Sequence, residues 1–216
     1  MQEATEIYDR SSRVIGKEDE NEVVKFENID DAGEKLKQMV PGVVVIDHDF
    51  TLKPIKYELG LGGKEPGRLP DESIELLKSL KNAGWKILVV SNQPREGHQV
   101  AKLVRGAKRG NYPIFPGSLE DILGKEGVHG AGWNFLWKKY KGTPEAVNKT
   151  VEWVEEKLGS VLGQIYFVGD RESDVAFAEK VKNELRTRGE NRPLNIWKVS
   201  GLKLPGVFRH LERFIP

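Results

Sequence analysis

The chain contains no cysteine, and that absence excludes disulfides, thiolate chemistry and the usual structural zinc sites. It has little charge of either sign in excess: 34 Lys and Arg stand against 33 Asp and Glu, so net charge gives no pull toward nucleic acid or membrane. No apolar run reaches the length of a membrane span, which predicts no transmembrane helix. Residues 1–10 carry Glu3, Glu6 and Asp9 and no apolar core, which predicts no signal peptide. A soluble, cytoplasmic protein is the resulting expectation. Methionine is scarce, two residues, beside a charged fraction of 31%, a balance compatible with a heat-adapted source. The 216 residues suffice for one α/β domain with a substantial core.

Against this background one segment stands out. Val43-Val44-Val45-Ile46 is a continuous β-branched run that ends in Asp47-His48-Asp49-Phe50-Thr51. Such a run reads as a parallel strand buried on both faces. Side chains two apart on a strand share a side, so Asp47 and Asp49 are expected to meet at its carboxyl end. In open α/β sheets that end faces the ligand crevice. Two carboxylates so close repel unless a cation lies between them, which points to a divalent metal, a carboxylate nucleophile, or both. His48 projects the other way and is read as a packing residue.

Strand and helix patterns alternate along the rest of the chain. Core strands are expected at 43–48, 85–91, 112–115, 164–169 and 194–199. Helices are expected from Asp30 or Asp31 to Met39, from Pro70-Asp71 to Asn82-Ala83-Gly84, and over 95–109, 133–140, 143–158, 174–188 and 205–214. The pattern predicts a Rossmann-like parallel sheet with helices on both faces and no large cap domain. Residues 1–28 form a polar arm, either a hairpin of 13–16 with 22–26 or a loosely docked segment. Residues 29–216 form the main domain, with 117–132 loop-rich apart from a short helix near Leu119–Leu123, and a small lid over about 117–140.

Three further segments place chemistry at strand or helix ends. The second strand closes in Ser91-Asn92-Gln93, whose hydroxyl and amide can donate to an anion. The strand over 164–169 runs into Gly169-Asp170-Arg171-Glu172-Ser173-Asp174. Lys141-Gly142-Thr143-Pro144 lies directly before a helix, a favourable place to meet an anion. Lys138 and Lys139 compete for that role, but Pro144 can start the helix and leaves Lys141 just before its N-terminus.

In this order, Asp47-x-Asp49-x-Thr51, Ser91, Lys141 and Gly169-Asp170-x-x-x-Asp174 resemble the four motifs of the haloacid dehalogenase superfamily in its phosphatase branch. The resemblance covers roughly residues 40–200. Ser91-Asn92-Gln93 and Lys141-x-x-Pro144 are further similar to the compact members with minimal caps, which hydrolyse histidinol phosphate, heptose bisphosphate, polynucleotide 3′-phosphate or phosphatidylglycerophosphate. The resemblance implies a Mg²⁺-dependent phosphomonoester hydrolase. Asp47 is then the nucleophile that becomes aspartyl-phosphate, and Asp49 the general acid and base. Asp47, the Asp49 backbone carbonyl and Asp170 hold Mg²⁺. Ser91, Asn92 and Thr51 are the candidates for phosphate binding, with Thr51 also bracing the loop, and Lys141 offsets developing charge. Asp174 pairs with Lys141 or supports the metal from behind its direct ligands. A second aspartate separates phosphatases from dehalogenases and phosphonatases in such a family, so Asp49 decides the reaction class. The chain departs from the pattern at Phe50, where glycine is frequent, and a bulky residue there can wall the substrate pocket.

Other features have blander readings. Gly60, Gly62, Gly63 and Gly67 lack the spacing of a phosphate-binding loop and read as a connector. Lys102, Arg105, Lys108 and Arg109 fall near one helical face, which is a solvated face or an anion-binding patch. Trp133, Leu136, Trp137 and Tyr140 recur at helical spacing and read as packing. The glycine-rich segment 124–132 is expected to be a flexible loop whose His129 contacts the leaving group. With no room for a folded cap between 53 and 70, the phosphorylated substrate can be a sugar, nucleotide, lipid or protein. Two alternatives remain beside a small-molecule phosphatase: a polynucleotide 3′-phosphatase using the basic helix, and a silent member of the fold that only binds.

Overall fold

The computed structural model describes residues 23–48, 51–52, 69–94, 117–131 and 140–200. The expectations for Asp49 and Phe50, the glycine-rich connector, the basic helix, a strand at 112–115, a helix at 133–139, Lys138 and Lys139, and a final helix at 205–214 lie outside these residues.

Six parallel strands form one open sheet. They are β1 (Val24–Phe26), β2 (Val43–Asp47), β3 (Lys86–Pro94), β4 (Val128–Ala131), β5 (Ile165–Gly169) and β6 (Leu194–Val199), in the order β1-β6-β5-β2-β3-β4. The chain moves outward one way from β2 through β3 to β4, and then the other way through β5 to β6, with β1, the first strand in sequence, at the edge beyond β6. The order therefore reverses beside β2, the place where open α/β sheets take ligands at the carboxyl ends of their strands.

Alternation along the strands splits the core cleanly in two. Val44, Ile46, Ile87, Val89 and Val168 face α1 (Ile29–Lys37), α2 (Asp71–Asn82) and α3 (Gly117–Leu123). Val43, Val45, Leu88, Val90, Phe167 and Ile196 face α4 (Pro144–Leu158) and α5 (Glu172–Thr187). Both faces of the sheet are covered, as the uninterrupted apolar runs require. Among the described residues no helix is long and apolar enough to cross a membrane.

The local signals are specific. Asn28, rather than Asp30 or Asp31, caps α1: its side chain accepts the Asp31 N–H at 2.9 Å, and the buried stripe Ile29, Ala32, Leu36 begins immediately after it. Gly84 follows α2 with φ of 96°, a conformation that side chains rarely adopt, and turns the chain into β3. Thr143 accepts the Ala146 N–H at 3.2 Å and Pro144 opens α4.

Residues 24–26 pair in parallel with β6, where the Phe26 ring packs 4.7 Å from that of Trp197, and residues 13–16, the other half of the expected hairpin, lie outside the described residues. The boundary at 28 therefore cuts through the sheet. The described part of the predicted lid is also regular structure. Gly117–Leu123 is helical, and Val128–Ala131 is the edge strand β4, in register with Val89 and Val90 of β3. A run with two small residues among four has weak intrinsic strand preference, and pairing with β3 overrides it.

Candidate active site

The carboxyl edge of β2 and β5 gathers a cluster of buried and half-buried charged side chains. Asp47 ends β2 and is 3% exposed; Asp170 follows β5; Asp174 sits in the first turn of α5 and is 2% exposed. One oxygen from each of these carboxylates lies within 4.8 Å of the others. Lys141, 5% exposed, comes from a single 3-10 turn, Tyr140–Gly142, just before α4. Its ammonium donates to Asp47 Oδ1 and, at 2.6 Å, to Asp174 Oδ1. The Asp174 Oδ2 atom accepts the Arg171 N–H at 3.0 Å, which ties the α5 entrance to the same cluster.

Gly169 makes this convergence possible. A Cβ there would lie 2.5 Å from that of Asp174, so any side chain would push the first turn of α5 away from β5. The Gly169-Asp170 pair thus serves approach as well as charge.

Thr51 and Asn92 both make hydrogen bonds within the cluster. The Thr51 hydroxyl lies 3.0 Å from Asp47 Oδ2 and 3.4 Å from Asp170 Oδ1, so its single proton bridges the ends of two strands. Asn92 Oδ1 accepts the backbone N–H of Lys141 at 2.9 Å, which fixes the turn that delivers the lysine. Ser91 is fully buried, one residue past Val90, the β3 partner of Asp47. His48 is also fully buried, as a packing residue should be. His129 is not on a loop at the site. It is half-buried on β4, level with Val90, and β3 separates it from Asp47.

The electrostatics follow from three carboxylates and one ammonium. Burial pulls the Lys141 pKa down, but the charges and hydrogen bonds of Asp47 and Asp174 outweigh it, and the net shift is upward. Lys141 is a fixed cation at physiological pH. Asp170 moves from 3.8 to about 6, first through burial and then through the Asp174 charge, with Arg171 and Lys141 pulling the other way. The donor set is all carboxylate oxygen, clustered and short of positive charge. That chemistry could suit a hard divalent cation, with Asp47 and Asp170 available to hold it and Asp174 beside them, bonded to Lys141.

Comparison of the chain with protein-family models, with curated proteins and with solved structures finds no match.

The raised Asp170 pKa has a consequence for stability. A group whose folded pKa exceeds its unfolded value contributes fully below the unfolded value, here 3.8, and that contribution is lost as pH rises through about 6. In metal-free protein at neutral pH, ionised Asp170 therefore weakens the fold. Asp170→Asn is expected to stabilise the EDTA-treated protein by about 2 kcal/mol above pH 7, and by much less near pH 4.5. Thermal unfolding at the two pH values measures this. A gain of equal size at both, or a loss at the higher pH, contradicts it.

Proposed function

We propose that the chain is a Mg²⁺-dependent phosphomonoester hydrolase of the haloacid dehalogenase type, working through an aspartyl-phosphate at Asp47. The observation that carries this reading is the meeting of Asp47, Asp170 and Asp174 with Lys141 at the point where the strand order reverses. A single-purpose ion pair needs one carboxylate per ammonium. Three carboxylates around one lysine form a site that is incomplete without further positive charge.

In this reading a carboxylate oxygen of Asp47 attacks phosphorus and the bond to the leaving oxygen breaks, with Asp49 assigned to supply the proton. Thr51 holds the other Asp47 oxygen in place. An ammonium has three donors, and two of those on Lys141 go to Asp47 and Asp174, leaving one for a phosphoryl oxygen. Asn92 fixes the Lys141 backbone so that this donor is positioned before substrate arrives. Mg²⁺, when bound, supplies the charge neutralisation that lets an anionic carboxylate approach a dianionic phosphate. Water then cleaves the aspartyl-phosphate, with Asp49 as base, and regenerates Asp47.

The test is hydrolysis of p-nitrophenyl phosphate by the full chain. Turnover is expected with Mg²⁺ and is expected to disappear with EDTA. An unchanged rate in EDTA would overturn the mechanism.

A further inference from the structure

The row of the sheet that holds Asp47 continues away from the carboxylate cluster into two lysines. Ile46 pairs with Val168, so Gly169 is level with Asp47; Gly169 pairs with Lys198 on β6, and Lys198 with Lys25 on β1. At the usual strand spacing, the backbone of Lys198 is about 10 Å and that of Lys25 about 14 Å from that of Asp47. All three residues project to one face. Asp47 is in step with Val43 and Val45, and Lys198 with Leu194 and Ile196, which pack against α4 and α5. Lys25, as the register partner of Lys198, shares its side.

The first turn of α5 lies over this row and serves both ends of it. Asp174 reaches Lys141 on one side, and Glu172 pairs with Lys198 on the other. Like charges directly opposite on neighbouring strands are destabilising. Glu172 is the carboxylate that faces this pair. Its side chain is 84% exposed, bonded to Lys198, and close enough for the Lys25 charge to help hold its carboxyl below the ordinary range. Among the described residues Lys25 has no ion-pair partner of its own. Among the described residues the arrangement has one positive charge in excess, at the carboxyl edge of the sheet, and its counter-ion is an exposed side chain that an incoming anion can displace.

We propose that Lys25 and Lys198 form a second anion site, and that the substrate is a small phosphomonoester whose leaving group carries a further phosphate or carboxylate seated on these lysines. The substrate half of the inference rests on the hydrolase reading above; the anion site itself does not. The spacing selects ligands whose two anionic ends lie on the order of 10 Å apart, with the reacting phosphate at Asp47.

The experiment is calorimetric titration of the full chain, with Mg²⁺ present, by α,ω-alkanediyl bisphosphonates of graded length. The matching alkyl monophosphonates and ω-carboxyalkyl phosphonates are the comparison arms. At one intermediate length the bisphosphonate is expected to bind about tenfold more tightly than the monophosphonate, and the carboxylate arm shows whether either anion suffices. The advantage should vanish in Lys25→Ala and in Lys198→Ala and persist in Lys25→Arg. It should grow in Glu172→Gln, where the competing carboxylate is gone. Lys25 is exposed, so its truncation leaves the fold intact. Hydrolysis of p-nitrophenyl phosphate, which has no second anion, should be unchanged in all four variants. Equal affinities at every length, an advantage that survives Lys25→Ala and Lys198→Ala together, or no phosphonate binding at all would overturn the proposal. A bisphosphonate advantage without hydrolysis of any ester would retain the anion site and remove the hydrolase reading.

Discussion

Asp47→Asn is expected to lower kcat by on the order of a thousandfold or more, because an amide is a poor nucleophile toward phosphorus. The same substitution should not unfold the protein. Asparagine keeps an oxygen for Lys141, and its NH₂ can donate to the Thr51 hydroxyl, which reverses that hydrogen bond without breaking it. It also removes one negative charge from a cluster of three carboxylates and one ammonium. The melting temperature without metal should stay level or rise while turnover collapses. That opposition distinguishes a nucleophile from a structural residue, whose loss lowers both together. Residual activity within about tenfold of the parent would remove Asp47 from the nucleophile's position. Acid quench of the parent enzyme during turnover, followed by mass analysis, should place the added phosphoryl group on Asp47.

How much of this was legible in the sequence depended on whether a signal was local. The β2 run and the strand at 165–169 are buried along their whole length, and burial leaves such apolar residues no other placement. Asp47, Lys141, Asp170 and Asp174 stand out in the sequence because each lies at the end of a strand or near the start of a helix. Edge elements were not legible. Val24–Phe26 is three residues long and Val128–Ala131 four, with glycine and alanine in the second, and both owe their strand state to a neighbour far away in sequence. Residue type located Asn92 and Thr51 at the site but did not fix their partners. A side-chain amide and a hydroxyl can serve a phosphate or the protein itself, and only three-dimensional placement shows Asn92 holding the Lys141 backbone. The Lys25–Lys198 pair had no sequence signal, since the two positions meet only through the β1–β6 pairing.

Removing the lysine tests the opposite side of the same charge balance. Lys141→Ala is expected to cost on the order of 3 kcal/mol in kcat/KM, by analogy with the loss of a donor to a developing oxyanion. It should also weaken the metal-free fold by about 3 kcal/mol, because Asp47 and Asp174 would then face each other buried without a cation. Added Mg²⁺ should recover part of that stability, since a cation among the carboxylates does for them some of what the ammonium did. The gain in melting temperature on adding Mg²⁺ is therefore expected to be larger in Lys141→Ala than in the parent. Lys138→Ala and Lys139→Ala should leave both quantities near the parent values. Near-normal kcat/KM in Lys141→Ala, with a large loss in one of the other two, would move the catalytic role to that lysine. A fall in melting temperature that Mg²⁺ does not lessen would separate the lysine from the metal site. The lysine would then be a structural counter-ion, and the proposed coupling between its charge and metal binding at Asp47 would fail.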